Sequence, residues 1–260
     1  MIEKDSRTAF SGEGIGYRFQ SETKFNTRKL RQPEILPDMP EHYKSYPQAE
    51  YIRLPDFRTI GEMKVSLKDL FLKRRSVRDY ANNPLTLEEL SFLLWASTGI
   101  SLKKTGYAFR TAPSAGALYP IETYLCIKNI RNTSASAMAP EKGIYHYNIE
   151  KHGLELLKKG DFAEKLACAC LGQDMFLMSA VDFIWTGIFA RTVARYGQRG
   201  FRYVYLDAAH IAANLSLACT ALGIGTCQIG AFIDDEVNNI IDVDGSKESV
   251  IYMSTVGRPL

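Results

Sequence analysis

The stretch "RYGQRGFRYVYLDAAHIAANLSLACTALGIGTCQIGAF", residues 195–232, decides how this chain must be organised. It opens with a dense set of charged and aromatic residues and continues as a long, mostly apolar segment rich in alanine. Such a segment is typical of a helix that packs closely against its neighbours, and we expect it to span Tyr203 to Leu222. Gly223 ends this helix, and the strand-like "TCQIGAF" follows. The sequence therefore predicts a long helix with a distinct group of residues at each end.

The other segments predict a mixture of helices and strands. Ser66 is placed to cap a helix that runs to about Arg75, and Thr86 with Glu89 forms the capping box of a helix that Gly99 ends. Strands are predicted at 121–128, 143–149, 153–159, 181–190 and 249–257, and shorter helices at 162–171 and 234–241. Because these elements do not alternate strictly, we expect an α+β fold with a mostly antiparallel sheet and helices on both faces.

The composition limits the class of protein. Of the 260 residues, 46% are hydrophobic and 23% are charged, as in ordinary globular domains. Lys plus Arg exceeds Asp plus Glu by 32 − 29 = 3, too small an excess to predict a nucleic-acid partner. The five cysteines are an odd number and form no pair of CxxC units, which argues against structural zinc. Free thiols suit a reducing cytoplasm. No apolar run reaches the ~20 residues of a membrane span, so we expect a cytoplasmic protein without a membrane partner.

The N-terminal part of the chain differs from the rest. It is polar, and its prolines at 33, 37, 40, 47 and 55 disfavour long helices. We therefore expect an irregular arm over residues 1–60, with room for one short helix, and a folded body over residues 61–260.

The segment "RRSVR" follows the predicted helix at 66–75. Arg74, Arg75, Ser76 and Arg78 place three guanidinium groups and a hydroxyl close together, which suits an anion such as a phosphate. The alternative is a solvated helix end, where cations also complement the helix dipole. The residues alone leave both interpretations open.

A second motif, "RTAPSAGALYP", consists of small residues between a proline and a glycine. The sequence of its centre is Pro113, Ser114, Ala115, Gly116 and Ala117. Such a loop lets a planar ligand approach the backbone amides closely. The alternative is a plain loop in which Ser114 caps a helix, and this pattern by itself favours the plain loop.

Further candidates flank the long helix. Beyond its C-terminal end, Gly230 and Ala231 expose backbone N–H groups, although "GIGTCQIGAF" is not a dinucleotide-binding GxGxxG motif. Before its N-terminal end, Tyr196 is a candidate acid or base. Four arginines there form either a surface for an anionic or peptide partner or a plain basic entry to the helix. They are Arg191, Arg195, Arg199 and Arg202.

The order of these motifs resembles the nitroreductase-like FMN superfamily. "RRSVR", "APSAGALYPIE", "GIYHY", "YGQRGFRY", "IGAFIDDEVNNII" and a last strand ending in "VG" are similar to its SagB/McbC/ThcOx-type branch. The resemblance covers nearly the whole chain and is weakest near the N-terminus. It implies a three-layer α+β fold, a homodimer with the long helix at its core, and FMN bound between the two subunits.

The resemblance also implies roles for individual residues. Arg74, Ser76, Arg78 and the terminal Arg258 would hold the FMN phosphate and the polar edge of the flavin. The ring would lie against the loop from Pro113 to Ala117 and be flanked by Gln228, Ile229, Gly230 and Ala231. The chain departs from the family at Ala117, where plain nitroreductases often carry Asn. It departs from the branch at Arg195, because azoline oxidases carry Lys beside the tyrosine that corresponds to Tyr196.

These observations favour one function and leave two others open. The first is an FMN-dependent dehydrogenase that oxidises thiazolines or oxazolines in peptides, with Tyr196 and Arg195 as the catalytic residues. Because Arg is a poor base, Arg195 would instead stabilise a developing anion or a tyrosinate. The alternatives are an NAD(P)H-dependent reductase of nitro compounds or quinones, and a flavin-binding scaffold or sensor with little turnover.

Overall fold

The structure, a computed structural model, describes residues 14–25, 36–132 and 139–260, so part of the predicted arm lies outside the described residues. The helices are α1 (Ile15–Glu22), α2 (Leu67–Lys73), α3 (Leu87–Thr98), α4 (Ala163–Ala169), α5 (Met175–Met178), α6 (Phe189–Tyr196), α7 (Gly200–Ala221) and α8 (Asp234–Ile241). The strands are β1 (Glu50–Arg53), β2 (Tyr80–Ala81), β3 (Leu85–Thr86), β4 (Ile100–Lys104), β5 (Tyr107–Arg110), β6 (Ile121–Ile127), β7 (Ile130–Arg131), β8 (Gly143–Asn148), β9 (Gly153–Lys159), β10 (Val181–Ile188), β11 (Gly225–Ile229) and β12 (Glu248–Pro259).

The main sheet has eight strands. Seven lie in the order β1-β9-β8-β6-β10-β12-β11, and β2 pairs with the end of β12. All of these pairs are antiparallel. The prediction of a mostly antiparallel sheet is therefore confirmed. In this order, β11 and β1 are the two edge strands of the sheet.

Helices cover both faces of this sheet. On β6, Leu125 points into a core with α3 and α7, and the adjacent Tyr124 points into a second core with α4, α5 and α8. Successive side chains of a strand face opposite sides of the sheet, so one strand serves both cores. The predicted arrangement of a sheet between two layers of helices is confirmed.

The long helix is close to its predicted position. α7 begins three residues before the predicted Tyr203 and ends one residue before Leu222. It is preceded by α6, which the sequence did not predict, because the apolar run 181–190 reads as a single strand. A 3-10 turn at Gly197–Arg199 joins the two helices. A Cβ on Gly200 would lie 3.0 Å from the carbonyl carbon of Thr192, so glycine permits this close approach of α7 to α6.

The sequence signals for α3 are confirmed in detail. The Glu89 N–H donates to the Thr86 hydroxyl at 3.1 Å, and the Thr86 N–H donates to the Glu89 carboxylate at 2.8 Å. These two bonds form the predicted capping box, and Gly99 follows the last helical residue. Two other features were missed: the hairpin of β4 and β5, and strand β1, by which the arm adds an edge to the main sheet.

The described ranges contain neither a membrane-spanning helix nor a cluster of metal ligands. No helix in them is long and apolar enough to cross a membrane. Within the same ranges, no group of three or more His, Cys, Asp or Glu side chains could hold a metal ion.

Candidate functional site

A groove runs along one face of α7, between that helix and the edge of the main sheet. Its volume is about 380 Å³. The floor is formed by small side chains of α7 that recur every three or four residues: Ala209, Ala212, Ala213 and Ser216. Arg74 and Gln228 contribute polar groups to the walls, together with the rings of Phe71 and Tyr252. We call this the α7 groove.

The "RRSVR" segment reaches the groove by pairing with the edge strand β11. Ser76 forms a parallel bridge with Thr226, and the Val77 N–H donates to the Thr226 carbonyl at 3.0 Å. The segment thereby lies along β11, and Arg74 and Gln228 both line the groove. The structure therefore brings together two cofactor-binding candidates that are far apart in the sequence.

Several polar groups around the groove have no partner. Among the described residues, the side chains of Arg74 and Arg78 make no hydrogen bond or ion pair, and the buried Nε2 of Gln228 has no acceptor. By contrast, Arg75 donates to the carbonyls of Leu72 and Arg74 at 3.0 and 2.7 Å. Because a buried amide without a partner is costly, Gln228 is suited to binding a ligand. Cationic groups beside an apolar floor suit a flat ligand that carries an anionic group.

The "PSAGA" loop lies elsewhere and has an unusual backbone. Gly116, Ala117 and Tyr119 have φ angles of +64°, +54° and +47°. Left-handed backbone costs about 1 kcal/mol or more at residues other than glycine. A loop with two such residues must therefore be held in place by its surroundings.

Asp207, on the first half of α7, holds this loop. Its carboxylate accepts hydrogen bonds from the Ser114 hydroxyl at 2.5 Å and from the Ala115 N–H at 3.3 Å. The Ser114 oxygen in turn accepts from the Tyr119 N–H at 2.9 Å. Asp207 is 4% exposed, and this burial raises the pKa of its carboxyl although the two hydrogen bonds oppose the shift. The sequence analysis missed Asp207; the signal was an acidic residue on the apolar face of the helix.

The two catalytic candidates meet the loop at Gly116. A Cβ on Gly116 would lie 2.6 Å from the Tyr196 hydroxyl oxygen and 3.2 Å from Nη1 of Arg195. The Arg195 guanidinium lies 5.6 Å from the centre of the Tyr196 ring. A Cβ at this position would displace the phenol, and the left-handed backbone also favours glycine here. The predicted catalytic pair and the predicted cofactor loop therefore form one cluster.

A network of buried ionisable side chains is hydrogen-bonded to this cluster through Tyr119. Arg191 donates to the Tyr119 carbonyl at 3.2 Å and to Glu122 at 2.5 Å. Glu122 and Glu155 each bind one ring nitrogen of His146, at 3.1 and 2.8 Å. Burial alone would lower the pKa of His146, but the two carboxylates outweigh burial and raise it. Arg191 is 1% exposed, so the interpretation of Arg191 as part of a partner-binding surface was wrong.

The remaining candidates lie near the sheet. Arg258 donates to both carboxylate oxygens of Glu89 at 2.7 Å, so the terminal strand is tied to the capping box of α3. Gly230 and Ala231 follow β11, which ends with Ile229, and the Ala231 carbonyl accepts from the Gln173 amide at 3.0 Å. Arg258 is thus already paired, whereas Gly230 has open space around the position of a Cβ, with Tyr252 4.0 Å away.

The groove and the loop cluster lie on opposite sides of α7. Asp207 binds the loop, whereas Ala212 and Ser216 on the groove floor follow five and nine residues later. At about 100° per residue, these positions are turned about 140° and 180° from Asp207. The chain therefore carries two separate groups of candidate residues, one with Arg74 and Gln228 and the other with Ser114, Gly116 and Tyr196.

Comparisons with known proteins agree with the motifs. A model of the nitroreductase family matches residues 72–258. A Methanocaldococcus jannaschii protein with a nitroreductase name is 36% identical over 209 residues, which are 80% of this chain and 96% of its own. The microcin B17-processing protein McbC of Escherichia coli is 23% identical, over 78% of this chain and 74% of its own.

Solved structures share the fold. A nitroreductase-like structure from Anabaena variabilis is similar with a TM-score of 0.70 and 27% identity. The similarity covers 94% of this chain, which spans about half of the Anabaena chain (47%). The E. coli microcin synthetase complex McbBCD, solved with truncated pro-microcin bound, has a chain similar at a TM-score of 0.61 and 20% identity. With most of its length matched by the family model and by a relative at 36% identity, this chain belongs to the nitroreductase family of oxidoreductases.

Proposed function

We propose that this chain is an FMN-dependent oxidoreductase that oxidises azoline rings in peptides to azoles. The observation that carries the proposal is the contact of the Tyr196 hydroxyl and the Arg195 guanidinium with Gly116 of the loop. It places a phenol and a cation together at the residues expected to line the flavin. The similarity to McbC, a microcin-processing protein, supports a peptide as the substrate.

The residues of the α7 groove fit FMN. Its apolar floor of alanines suits a flat ring, and the amide of Gln228 has an unpaired donor for a polar ring edge. The unpaired guanidiniums of Arg74 and Arg78 would hold the phosphate, with the hydroxyl of Ser76. Arg258 would contribute less, because Glu89 already binds its guanidinium.

A second copy of the chain would complete the site. The loop cluster and the groove lie on opposite sides of α7, so the loop of one chain would meet the groove of another. The face of α7 that includes Ala209 and Ala213 is exposed, as are Tyr205 and Leu206. An exposed apolar face of this kind supports a homodimer around α7.

The proposed chemistry assigns a role to each residue of the cluster. When bound, FMN supplies a two-electron acceptor, which lets an azoline ring lose a hydride as well as a proton. Tyr196, acting as its phenolate, would receive the proton at the phenol oxygen and become the neutral phenol. Arg195 stays protonated and would stabilise negative charge on that oxygen or on the substrate. Asp207 keeps the loop in place through Ser114 and Ala115.

One observation favours a second function. The relative at 36% identity bears a nitroreductase name, and an open flavin would also accept electrons from NAD(P)H and pass them to nitro compounds or quinones. Such a reductase needs no proton acceptor at Tyr196. The two functions therefore differ in whether the phenol is required.

The deciding experiment is the anaerobic visible spectrum of the purified protein supplied with FMN. A thiazoline peptide is added first and NADPH second, with Tyr196→Phe as the matched variant. Bleaching of the flavin bands by the peptide, lost in Tyr196→Phe, would establish the dehydrogenase. Bleaching by NADPH alone, equal in both proteins, would establish the reductase. A protein that binds no flavin would contradict both functions.

A further inference from the structure

Segment 14–25 of the arm docks on two arginines close to the loop cluster. Arg202 donates to the Thr23 hydroxyl at 2.6 Å and also to the Gln20 carbonyl. Arg199 donates to the Thr23 carbonyl at 3.0 Å. The Gln20 carbonyl lies in the last turn of α1, and Thr23 is the residue that caps its C-terminal end. Unpaired carbonyls at a helix C-terminus carry partial negative charge that cations complement.

Two aromatic side chains of the arm add to this contact. The Arg199 guanidinium lies 4.5 Å from the centre of the Phe25 ring, and the Arg202 guanidinium lies 5.7 Å from that of Phe19. Main-chain carbonyls and aromatic rings are groups that many peptides can offer. The two arginines therefore bind the arm through groups that other peptides also carry.

Segment 14–25 is held with little apolar burial. No residue of α1 is buried, and the side chains of Phe19 and Phe25 remain 38% and 52% exposed. Buried apolar area is the main source of docking energy, so a segment held this way is easily displaced. Thr23, with 8% exposure, is the one residue of segment 19–25 that is buried.

One of the two arginines, Arg199, is linked to Tyr196 through Tyr203. Arg199 donates through Nε to the Tyr203 hydroxyl at 2.7 Å. The Tyr203 ring packs edge-on against the Tyr196 ring, with 5.0 Å between centres. A peptide lying across Arg199 and Arg202 would therefore lie beside Tyr196.

We propose that Arg199 and Arg202 form a peptide-binding surface beside Tyr196, and that segment 19–25 of the arm occupies it in competition with a substrate peptide. The inference rests on the proposed peptide-oxidising function. It goes further by naming the residues that bind the peptide and the segment that must leave.

The test uses the full-length protein loaded with flavin and two opposed kinds of variant. Thr23→Ala with Phe25→Ala weakens the arm and leaves the surface intact. Arg199→Gln with Arg202→Gln removes the surface. Arg18→Ala is the matched control, because Arg18 is exposed on α1 and binds Glu22. The probe is a fluorescein-labelled synthetic peptide with the sequence of residues 14–25, and binding is followed by fluorescence anisotropy.

The arm variant should bind the probe at least about five-fold more tightly than the unmodified protein, because the tethered competitor is weakened. The arginine variant should lose binding, and Arg18→Ala should behave like the unmodified protein. Equal binding by all four proteins would overturn the proposal. Amide hydrogen exchange of residues 15–23 provides a second measurement. The arm variant and the arginine variant should both exchange faster than the unmodified protein, and Arg18→Ala should not.

An unlabelled thiazoline peptide then tests the competition. Displacement of the probe from the arm variant supports the shared surface, and failure to displace it at any concentration overturns it. If the peptide displaces the probe but is not oxidised, the proposed reaction fails while the peptide-binding surface stands. The two conclusions can therefore be separated.

Discussion

Replacing Gly116 with alanine should reduce activity far more than stability. The new Cβ would lie 2.6 Å from the Tyr196 hydroxyl oxygen, whereas ordinary contact begins at 3.4 Å. The phenol must therefore move by 3.4 − 2.6 = 0.8 Å or the loop must shift. The backbone cost of alanine at φ +64° is about 1–2 kcal/mol. The hydroxyl is the far end of a side chain, so it can move without unfolding the protein.

The expected result is a loss of about 1–2 kcal/mol in unfolding free energy and a fall of about 10- to 100-fold in the rate of flavin reduction by a thiazoline peptide. The rate falls this far because a displacement of about 1 Å can cost about 100-fold. Chemical denaturation measures the stability, and anaerobic stopped-flow absorbance at saturating flavin measures the rate.

Two controls isolate the contact. Gly106 also has a left-handed backbone, at φ +84°, but has nothing within 4 Å of a Cβ, so Gly106→Ala should cost similar stability and no activity. In a Tyr196→Phe background the clashing hydroxyl is absent, and Gly116→Ala should lower the rate little further. A Gly116→Ala protein that reduces flavin at the unmodified rate would refute the role of the Tyr196 position.

Three further predictions concern the rest of the site. Arg74→Ala should weaken FMN binding about ten-fold or more, whereas Arg258→Ala should change it less and lower unfolding free energy by about 0.5–1.5 kcal/mol; flavin fluorescence titration and denaturation check this contrast. Because its partners raise the pKa of His146, that residue stabilises the fold below its ordinary pKa of 6.5, and this stability is lost as pH rises through the raised value. A His146→Gln protein should therefore lose less stability than the unmodified protein above pH 6.5, and parallel slopes would contradict this. Asp207→Asn should lower unfolding free energy by about 1–2 kcal/mol by replacing a charged acceptor with a neutral one, and an unchanged melting curve would contradict the anchoring role.

Local signals explain what the sequence could predict. The capping box of Thr86 and Glu89 lies within four residues, and its geometry follows from helix structure alone. The small residues of α7 likewise predicted a closely packed helix, and the motif order predicted the family. By contrast, α6 was missed because its apolar residues continue the pattern of β10, and the change from strand to helix at Phe189 leaves no local mark.

Contacts between distant segments explain what the sequence could not predict. The hydrogen bonds of Asp207 to Ser114 and Ala115 join residues more than ninety positions apart. The pairing of Arg258 with Glu89 and the docking of the arm on Arg199 are equally remote in sequence. A list of motifs treats these arginines alike, and the fold decides which are paired and which are free.

The groove and the loop cluster on opposite sides of α7 also bear on how this chain can change in evolution. One residue inserted between Asp207 and Ala212 would rotate the groove floor by about 100° relative to the loop and move it about 1.5 Å along the axis. An insertion of seven residues would restore the direction to within about 20° but would lengthen the helix by about two turns. Substitutions on the surface of α7 change neither the angle nor the spacing. Homologous chains should therefore vary in the amino acids along α7 far more freely than in the number of residues between Asp207 and Ser216.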